Sequence, residues 1–219
     1  PGVRRYGFHG WSHRSVAQRF AAIAGSATPS LITLHLGSGC SAAAILRGWP
    51  IDVSMGYSPL EGLVMGTRPG DVDPGVLLHL LQTGSKVDKL QHLLHHESGL
   101  KGLAGTADMR ELLARTDDAA REAVELFCYR AVKYVGAYAA ALEGQAEALV
   151  FTGGIGENSA EIRSRICRGL GWLGLRVDVA RNERGEERIS TDDSALAAYA
   201  IPSDEERGIA EDALRVLGG

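Results

Sequence analysis

The chain has 219 residues, 45% hydrophobic and 23% charged, with a formal net charge of −4. That length fits one large domain or a domain with an appendage, the composition is ordinary for a soluble globular protein, and the mild acidity argues against a nucleic-acid surface. Cys40, Cys128 and Cys167 form an odd, scattered set, which argues against a disulfide framework and predicts a reducing, cytoplasmic setting. No apolar run reaches transmembrane length, so no membrane partner is expected. The opening Pro-Gly-Val-Arg-Arg reads as the middle of something longer.

In chain order, a His-rich opening is followed by helical spacing over Ser15 to Ile23. Leu31 to Leu36, Ser41 to Leu46 and Trp49 to Val53 read as strands; their short connections, GSG and RGWP, predict an antiparallel meander. A glycine-rich loop over Tyr57 to Pro74 precedes a helix begun by Asp73-Pro74 and continued by Val76 to Leu81, then another over Ser85 to His96. The clearest helix runs from Asp118 to about Glu143, where Val124, Phe127, Cys128, Ala131, Val135, Tyr138 and Leu142 share one face. The apolar run Ala148 to Thr152 reads as a buried strand. It feeds GGIGEN, expected as a turn, with Asn158 and Glu161 spaced as a capping box for a helix from Ser159 to about Leu170. A strand at Leu175 to Val179, a polar loop over Asn182 to Asp193, a strand at Ala197 to Ile201 and a helix from Asp204 to Leu217 complete the chain. A meander followed by alternating helices and strands predicts an α/β fold with a mixed sheet flanked by helices.

Four glycine-bearing segments are candidates for holding a ligand. HLGSGCS (His35 to Ser41) reads either as a backbone cradle for phosphate oxygens or as a tight hairpin. MGTRPGDVDPG (Met65 to Gly75) sets Arg68 between glycines, where a guanidinium could meet phosphoryl charge or simply occupy a surface turn. In GTADMREL (Gly105 to Leu112), Asp108 is suited to cap a helix carrying Arg110. GGIGEN lacks both the Walker Gly-Lys-Ser/Thr ending and the GxGxxG spacing, so phosphate contact and a structural turn both stay open. His9 and His13 lie four apart, but Gly10 argues against one helix through both and no HExxH pattern is near. Hydrogen bonding at a cleft is therefore the reading for them. The run SDEER (Ser203 to Arg207) reads as acids complementing a helix N-terminus, with a carboxylate for Mg²⁺ as the alternative.

Taken in series, these motifs resemble the acetate kinase (acetokinase) family over nearly the whole chain. RRYGFHGWSH is similar to the family's RRYGFHGTSH, HLGSG to HLGNG, and SMGYSPLEGLVMGTRPGD to SMGFTPLEGLMMGTRSGD; FTGGIGENS, ISTDDS and IPSDEE also match. The resemblance implies a ribonuclease-H-like domain of the actin-like superfamily. It implies reversible transfer of the γ-phosphoryl of ATP to acetate, giving acetyl phosphate and ADP, with propionate or butyrate as other acceptors and a non-catalytic ATP-binding module as the contrasting class. His9 and Arg68 would stabilise the transferred phosphoryl. His35, Leu36, Gly37, Ser38, Gly39, Asp108, Met109, Arg110, Gly154, Ile155, Gly156, Glu157 and Asn158 would form the nucleotide site, and Glu205 would hold Mg²⁺. The match covers only the family's C-terminal part. Residues 1–202 are then the nucleotide-binding domain, and 203–219 a terminal helix that would pack on a missing N-terminal domain through Ile209, Ala213, Val216 and Leu217. Low activity of the chain alone and a homodimer are expected. Trp11 and Ser38 depart from the family's threonine and asparagine, and GTADMR is one residue shorter than usual.

Overall fold

The computed structural model describes residues 2–217, apart from the side chains of Arg207 and Glu211. Helix α1 (Gly10–Ala24) leads into the meander β1 (Leu31–Leu36), β2 (Cys40–Leu46) and β3 (Trp49–Val53). Five helices follow: α2 (Pro74–Gln82), α3 (Val87–His96), α4 (Gly99–Ala104), α5 (Met109–Ala114) and the long α6 (Asp118–Ala141). Strand β4 (Ala148–Thr152) runs directly into α7 (Gly153–Asn158), then come α8 (Ala160–Arg168), α9 (Val179–Arg184), β5 (Ala197–Ala200) and α10 (Glu205–Leu217). The sheet is mixed, in the order β3-β2-β1-β4-β5. The meander is antiparallel, while β4 pairs parallel with both β1 and β5.

Side-chain alternation on β1 sorts the two faces. Ile32, Leu34 and Leu36 point into the core made by α6, with Val124, Phe127 and Val135. Leu31 points the other way, into a smaller core with Val16 and Phe20 of α1. At ~1.5–3 kcal/mol for each fully buried large apolar side chain, these layers supply most of the drive to fold. The same alternation turns Thr33 and His35 toward α1, so the α1 face becomes polar near the C-terminal end of β1. All five residues of β4 are buried, as a central parallel strand demands.

Three expectations are corrected. GGIGEN is not a turn but the helix α7. Because α7 continues through Asn158, that residue cannot be an extended N-cap. Ser159 caps α8 instead, its Oγ accepting from the Ile162 N–H (3.3 Å). The Asn158 amide donates to Gly154 O (2.9 Å), and Glu161 pairs with Arg165 (2.7 Å). The third correction covers Leu175 to Val179 and the polar loop after it. Only Val177 bridges a partner, Ser190. The Asp178 carboxylate then accepts from the Arg181 N–H (3.0 Å) and starts α9 at Val179, the end of the expected strand, so that the helix runs on through Arg184 into the expected loop. Helix α4 has no counterpart among the elements expected from the sequence.

Of the glycines in GGIGEN, Gly153 is the one the backbone requires. Its φ is +77°, and a Cβ there would lie 2.8 Å from Leu36 O. Gly153→Ala is expected to cost about 1–3 kcal/mol of stability, read as a lowered urea midpoint. An unchanged midpoint would mean that the β4–α7 junction relaxes freely.

Candidate active site

The four glycine segments meet at the C-terminal end of β1. In the β1–β2 hairpin, Gly37 N–H donates to Gly39 O (3.0 Å). The Gly66 N–H donates to Ser38 O (3.1 Å), which ties the loop over residues 57–73 to the hairpin tip. A Cβ on Gly66 would lie 3.3 Å from the Cβ of Ala107, beside the start of α5, and one on Gly37 would lie 3.9 Å from Gly154 N of α7. Helix α4 explains why the loop holds its shape: the Leu100 and Lys101 N–H groups donate to Met65 O (3.0 Å) and Gly66 O (2.9 Å). Helix termini must place their bare N–H groups somewhere, and here they hold the Arg68 loop.

Arg68 is half-buried, and its Nη1 donates to Pro59 O (2.8 Å), which anchors the guanidinium. A Cβ on Gly39 would stand 2.7 Å from Arg68 Nη2 and 3.2 Å from both Cε1 and Nε2 of His9. Gly39 is therefore glycine because a cation and an imidazole converge on its Cα, not because its own backbone needs unusual freedom. No hydrogen bond joins Arg68 to His9. Burial pushes the Arg68 guanidinium down from its ordinary value.

His9 precedes α1 with a left-handed φ of 58°, a conformation sparsely populated by non-glycine residues. Its ring stacks on His35, with centroids 4.1 Å apart and planes 16° from parallel. Ser12 Oγ bonds His35 Nδ1 (2.8 Å). His9 Nδ1 meets Ser41 Oγ (2.9 Å), Ser41 Oγ meets His13 Nε2 (2.7 Å), and His13 Nδ1 meets Thr33 Oγ1 (2.7 Å). Helix α1 thus begins after His9 and includes His13, so the two histidines are joined through Ser41 rather than by a shared helix face. Among the described residues no group of three or more His, Cys, Asp and Glu could hold a metal.

The three imidazoles are held neutral. Burial, then His35, then Arg68 push His9 down to about 4; burial, then His35 and His9 push His13 down to about 3. Burial also lowers His35, against the upward pull of Glu205 and Glu157. The folded pKa values lie below the unfolded ones, so the unfolded chain binds more protons in this window. Stability is then full above about pH 6.5 and falls toward pH 4 (His9) and pH 3 (His13), with a slope approaching ~1.4 kcal/mol per pH unit for each histidine. Urea melts from pH 7.5 to 4.5 check this. His13→Gln should flatten the slope, and an equal slope in that variant would contradict the neutral, buried His13.

The remaining candidates are placed as follows. Leu36 and Met109 are buried in the α6-side core, so their side chains face away from the cleft. Asp108 caps α5, accepting from the Arg110 N–H (2.9 Å) and pairing with the exposed Arg110 side chain (2.7 Å). The Asp108–Arg110 contacts hold that carboxyl down to about 2. Ile155 packs partly against the core. A Cβ on Gly156 would make ordinary contact with Phe151 and Leu36, whereas one on Gly154 would meet open space. Glu157 turns inward: one carboxylate oxygen accepts from Gly153 N–H (2.9 Å), Thr152 Oγ1 (3.1 Å) and Ser203 N–H (3.2 Å). It thereby locks the chain entering α10 to the end of β4. Glu205 opens α10 close enough to act on His35. Trp11 turns toward α10, where a Cβ on Gly208 would lie 3.3 Å from its ring. Buried Cys40 is raised to about 12 by burial and is no nucleophile.

Sequence reasoning gave no part to Thr33, Ser12, Arg163 or Asn182. The available signal was period-two alternation: Thr33 and His35 interrupt an apolar strand on the same face. Arg163, 2% exposed, carried no such signal; its Nε donates to Asn182 Oδ1 (2.7 Å), Nη2 to Asn182 O (2.8 Å), and Nη1 to Gly156 O (3.0 Å) and Glu157 O (2.6 Å).

A mixed 3-2-1-4-5 sheet flanked by helices, with glycine loops gathered around a guanidinium and imidazoles at its end, is a ribonuclease-H-like domain of the actin-like class, in the form that kinases carry. The chain belongs to the acetokinase family, whose model matches residues 1–211. It is 50% identical over 224 residues to an acetate kinase of Syntrophobacter fumaroxidans, covering 98% of this chain and 54% of that protein. An acetate kinase of Chloroherpeton thalassium is also 50% identical, over 227 residues, with 98% and 54% covered. Among solved structures, the acetate kinase of Porphyromonas gingivalis superposes with a TM-score of 0.93 at 42% identity, covering 99% of this chain and 56% of the other. A propionate kinase of Francisella tularensis superposes with a TM-score of 0.92 at 40% identity, covering 96% and 55%. The chain thus spans about half the length of the relatives it matches. Among the described residues no helix is long and apolar enough to cross a membrane.

Proposed function

We propose that this chain is the nucleotide-binding part of a kinase that moves the γ-phosphoryl of ATP reversibly to acetate, giving acetyl phosphate and ADP. The observation that carries this reading is the convergence of Arg68 Nη2 and His9 on Gly39, cationic and hydrogen-bonding groups facing one point with no bond between them. An anion is the natural occupant of such a point. In the forward direction a carboxylate oxygen of acetate attacks the γ-phosphorus in line, and the bond to the β,γ-bridging oxygen breaks with its electron pair leaving on ADP. The protein need only align the partners and meet charge on the equatorial oxygens, and this is the work given to Arg68 and His9. The hairpin His35 to Gly39, the start of α5 and Gly154 of α7 would line the nucleotide. The missing Cβ of Gly154 has no packing explanation, and close approach of a ligand would account for it.

Glu205 offers one carboxylate beside the cleft, which fits Mg²⁺ held mainly by nucleotide phosphates and water rather than a resident protein cage. When bound, the ion would neutralise phosphate charge. Propionate is the second reading for the acceptor, favoured by the 40% identity to a propionate kinase; comparing kcat/KM for acetate, propionate and butyrate in the full-length protein separates them. Residues 203–217 are proposed to bridge to a partner domain through exposed Ile209, Val216 and Leu217. A homodimer and a cytoplasmic setting belong to the same proposal. Calorimetric titration of Mg-ATP into this chain should give binding in the micromolar-to-millimolar range, and Gly39→Val should weaken it at least tenfold by displacing Arg68. No heat up to several millimolar ATP would count against the nucleotide reading.

A further inference from the structure

We propose that Ser41, backed by His13 and Thr33, is a positioning relay that fixes which ring nitrogen of His9 carries the proton, so that Nε2–H is presented to the cleft. This deepens the reading above, in which His9 meets the transferred phosphoryl. The three hydrogen bonds form one unbranched chain, His9 Nδ1–Ser41 Oγ–His13 Nε2–His13 Nδ1–Thr33 Oγ1, with spacings of 2.9, 2.7 and 2.7 Å. Ser41 and Thr33 are fully buried and His13 is 6% exposed, so water does not break the chain. Each neutral imidazole has one donor and one acceptor nitrogen, and each hydroxyl has one proton to give. Ser41 could also accept from both imidazoles at once, but its own proton would then be buried with no acceptor, since its Oγ meets only His9 and His13 among the described residues; the chain therefore runs in one of two directions.

The end of the chain selects the direction. If Thr33 donates to His13 Nδ1, then His13 Nε2–H donates to Ser41, Ser41 donates to His9 Nδ1, and every buried proton has an acceptor. In the reverse direction His13 Nδ1–H donates to Thr33, and the Thr33 hydroxyl proton is left buried without an acceptor; among the described residues Thr33 Oγ1 bonds only His13. A buried hydroxyl proton without an acceptor is costly, and that cost disfavours the reverse direction. The forward direction leaves His9 with its lone pair on Nδ1 and its proton on Nε2, 3.2 Å from where a Cβ on Gly39 would stand. A neutral donor there suits an imidazole that burial, then His35 and Arg68, keep from charging. The alternative tautomer would turn a lone pair toward the incoming anion.

The test reads the tautomer directly. Two-bond ¹H–¹⁵N NMR spectra of histidine-labelled protein at pH 7.5 should show His9 protonated on Nε2. Thr33→Val keeps the shape of the side chain but removes the hydroxyl at the far end of the relay from His9; it should produce a mixture of His9 tautomers, and Thr33→Ser should restore the single form. Ser41→Ala should also give a mixture. A wild-type His9 protonated on Nδ1, or a Thr33→Val spectrum identical to wild type, overturns the relay. Kinetics of the full-length protein form the second arm. Thr33→Val should lower kcat about 3- to 10-fold with nucleotide KM within about twofold, and Thr33→Ser should recover it. A kcat unchanged while the tautomer scrambles would overturn the link between relay and transfer. A wild-type protein with no transferase activity would defeat the kinase reading alone, with the NMR result still deciding the relay.

Discussion

Arg163→Ala is expected to lower stability by about 3–5 kcal/mol, among the largest effects available to a single substitution in this chain. Arg163 reaches from α8 into the interior and spends four N–H contacts on three backbone carbonyls and one amide oxygen, those of Gly156, Glu157 and Asn182. Two of the carbonyls are near the end of α7, which the short helix cannot satisfy for itself. Removing the guanidinium leaves these acceptors buried and unpaired, and lets α7 separate from α9. Arg163→Lys keeps the charge but not the planar fork, and should still lose more than half of that amount. Urea or guanidinium denaturation followed by circular dichroism reads the change. A loss under about 1 kcal/mol for Arg163→Ala would mean that water enters and replaces the side chain. Because α7 carries Gly154 toward the cleft, the same substitution should weaken Mg-ATP binding even where the protein remains folded.

The second large effect is on turnover. Arg68→Ala in the full-length protein is expected to lower kcat by about 10²–10³-fold, the range seen when one preorganised donor to a transition state is lost. The substitution leaves a hole at a half-buried loop position rather than in the core, so the melting temperature should move little. The loop is held independently by the Leu100 and Lys101 N–H groups of α4. Arg68→Lys should recover part of the rate, since a point charge can reach the anion without the bidentate fork. A rise in KM with kcat intact would assign Arg68 to ground-state binding and remove it from the transfer step.

The two substitutions differ in how readily the sequence exposes them. Arg68 stands among glycines in a motif whose spacing announces a close backbone approach. Arg163 stands in an ordinary amphipathic helix, AEIRSRICR, one of three arginines there, and nothing local distinguishes it from Arg165 or Arg168. Arg165 pairs along the helix with Glu161 on the surface, four residues away. The difference arises only when α9 is laid across α8 and brings Asn182 to it.

The strands β1, β3 and β4 were fully legible because short apolar runs between turn residues have few other uses. The α6 face was legible because 24 residues of consistent period leave little doubt about a helix. The strand expected at Leu175 to Val179 failed for want of a partner: a short run alternating apolar and charged residues becomes a strand only if a neighbouring edge is free to pair with it, and Asp178 instead begins α9. GGIGEN misled in the same way. Glycine-rich segments read as turns by local propensity, yet Glu157 reaching back to Gly153 N–H, and Arg163 closing the far end, hold six residues as a helix.

By itself, the sequence determined the family and the chemical inventory: the glycine loops, Arg68, His9 and Glu205, in their order along the chain. It also determined the strand alternation that puts Thr33 and His35 on one face. Only the tertiary structure decided what those residues do together. That Gly39 makes room for a guanidinium, that Ser41 links two histidines, and that Glu157 points inward are facts about residues distant in sequence. Local patterning fixes which way a side chain faces; which group it meets depends on packing between elements, and the hydrogen-bond geometry that sets a tautomer or anchors a cation exists only once those elements have closed.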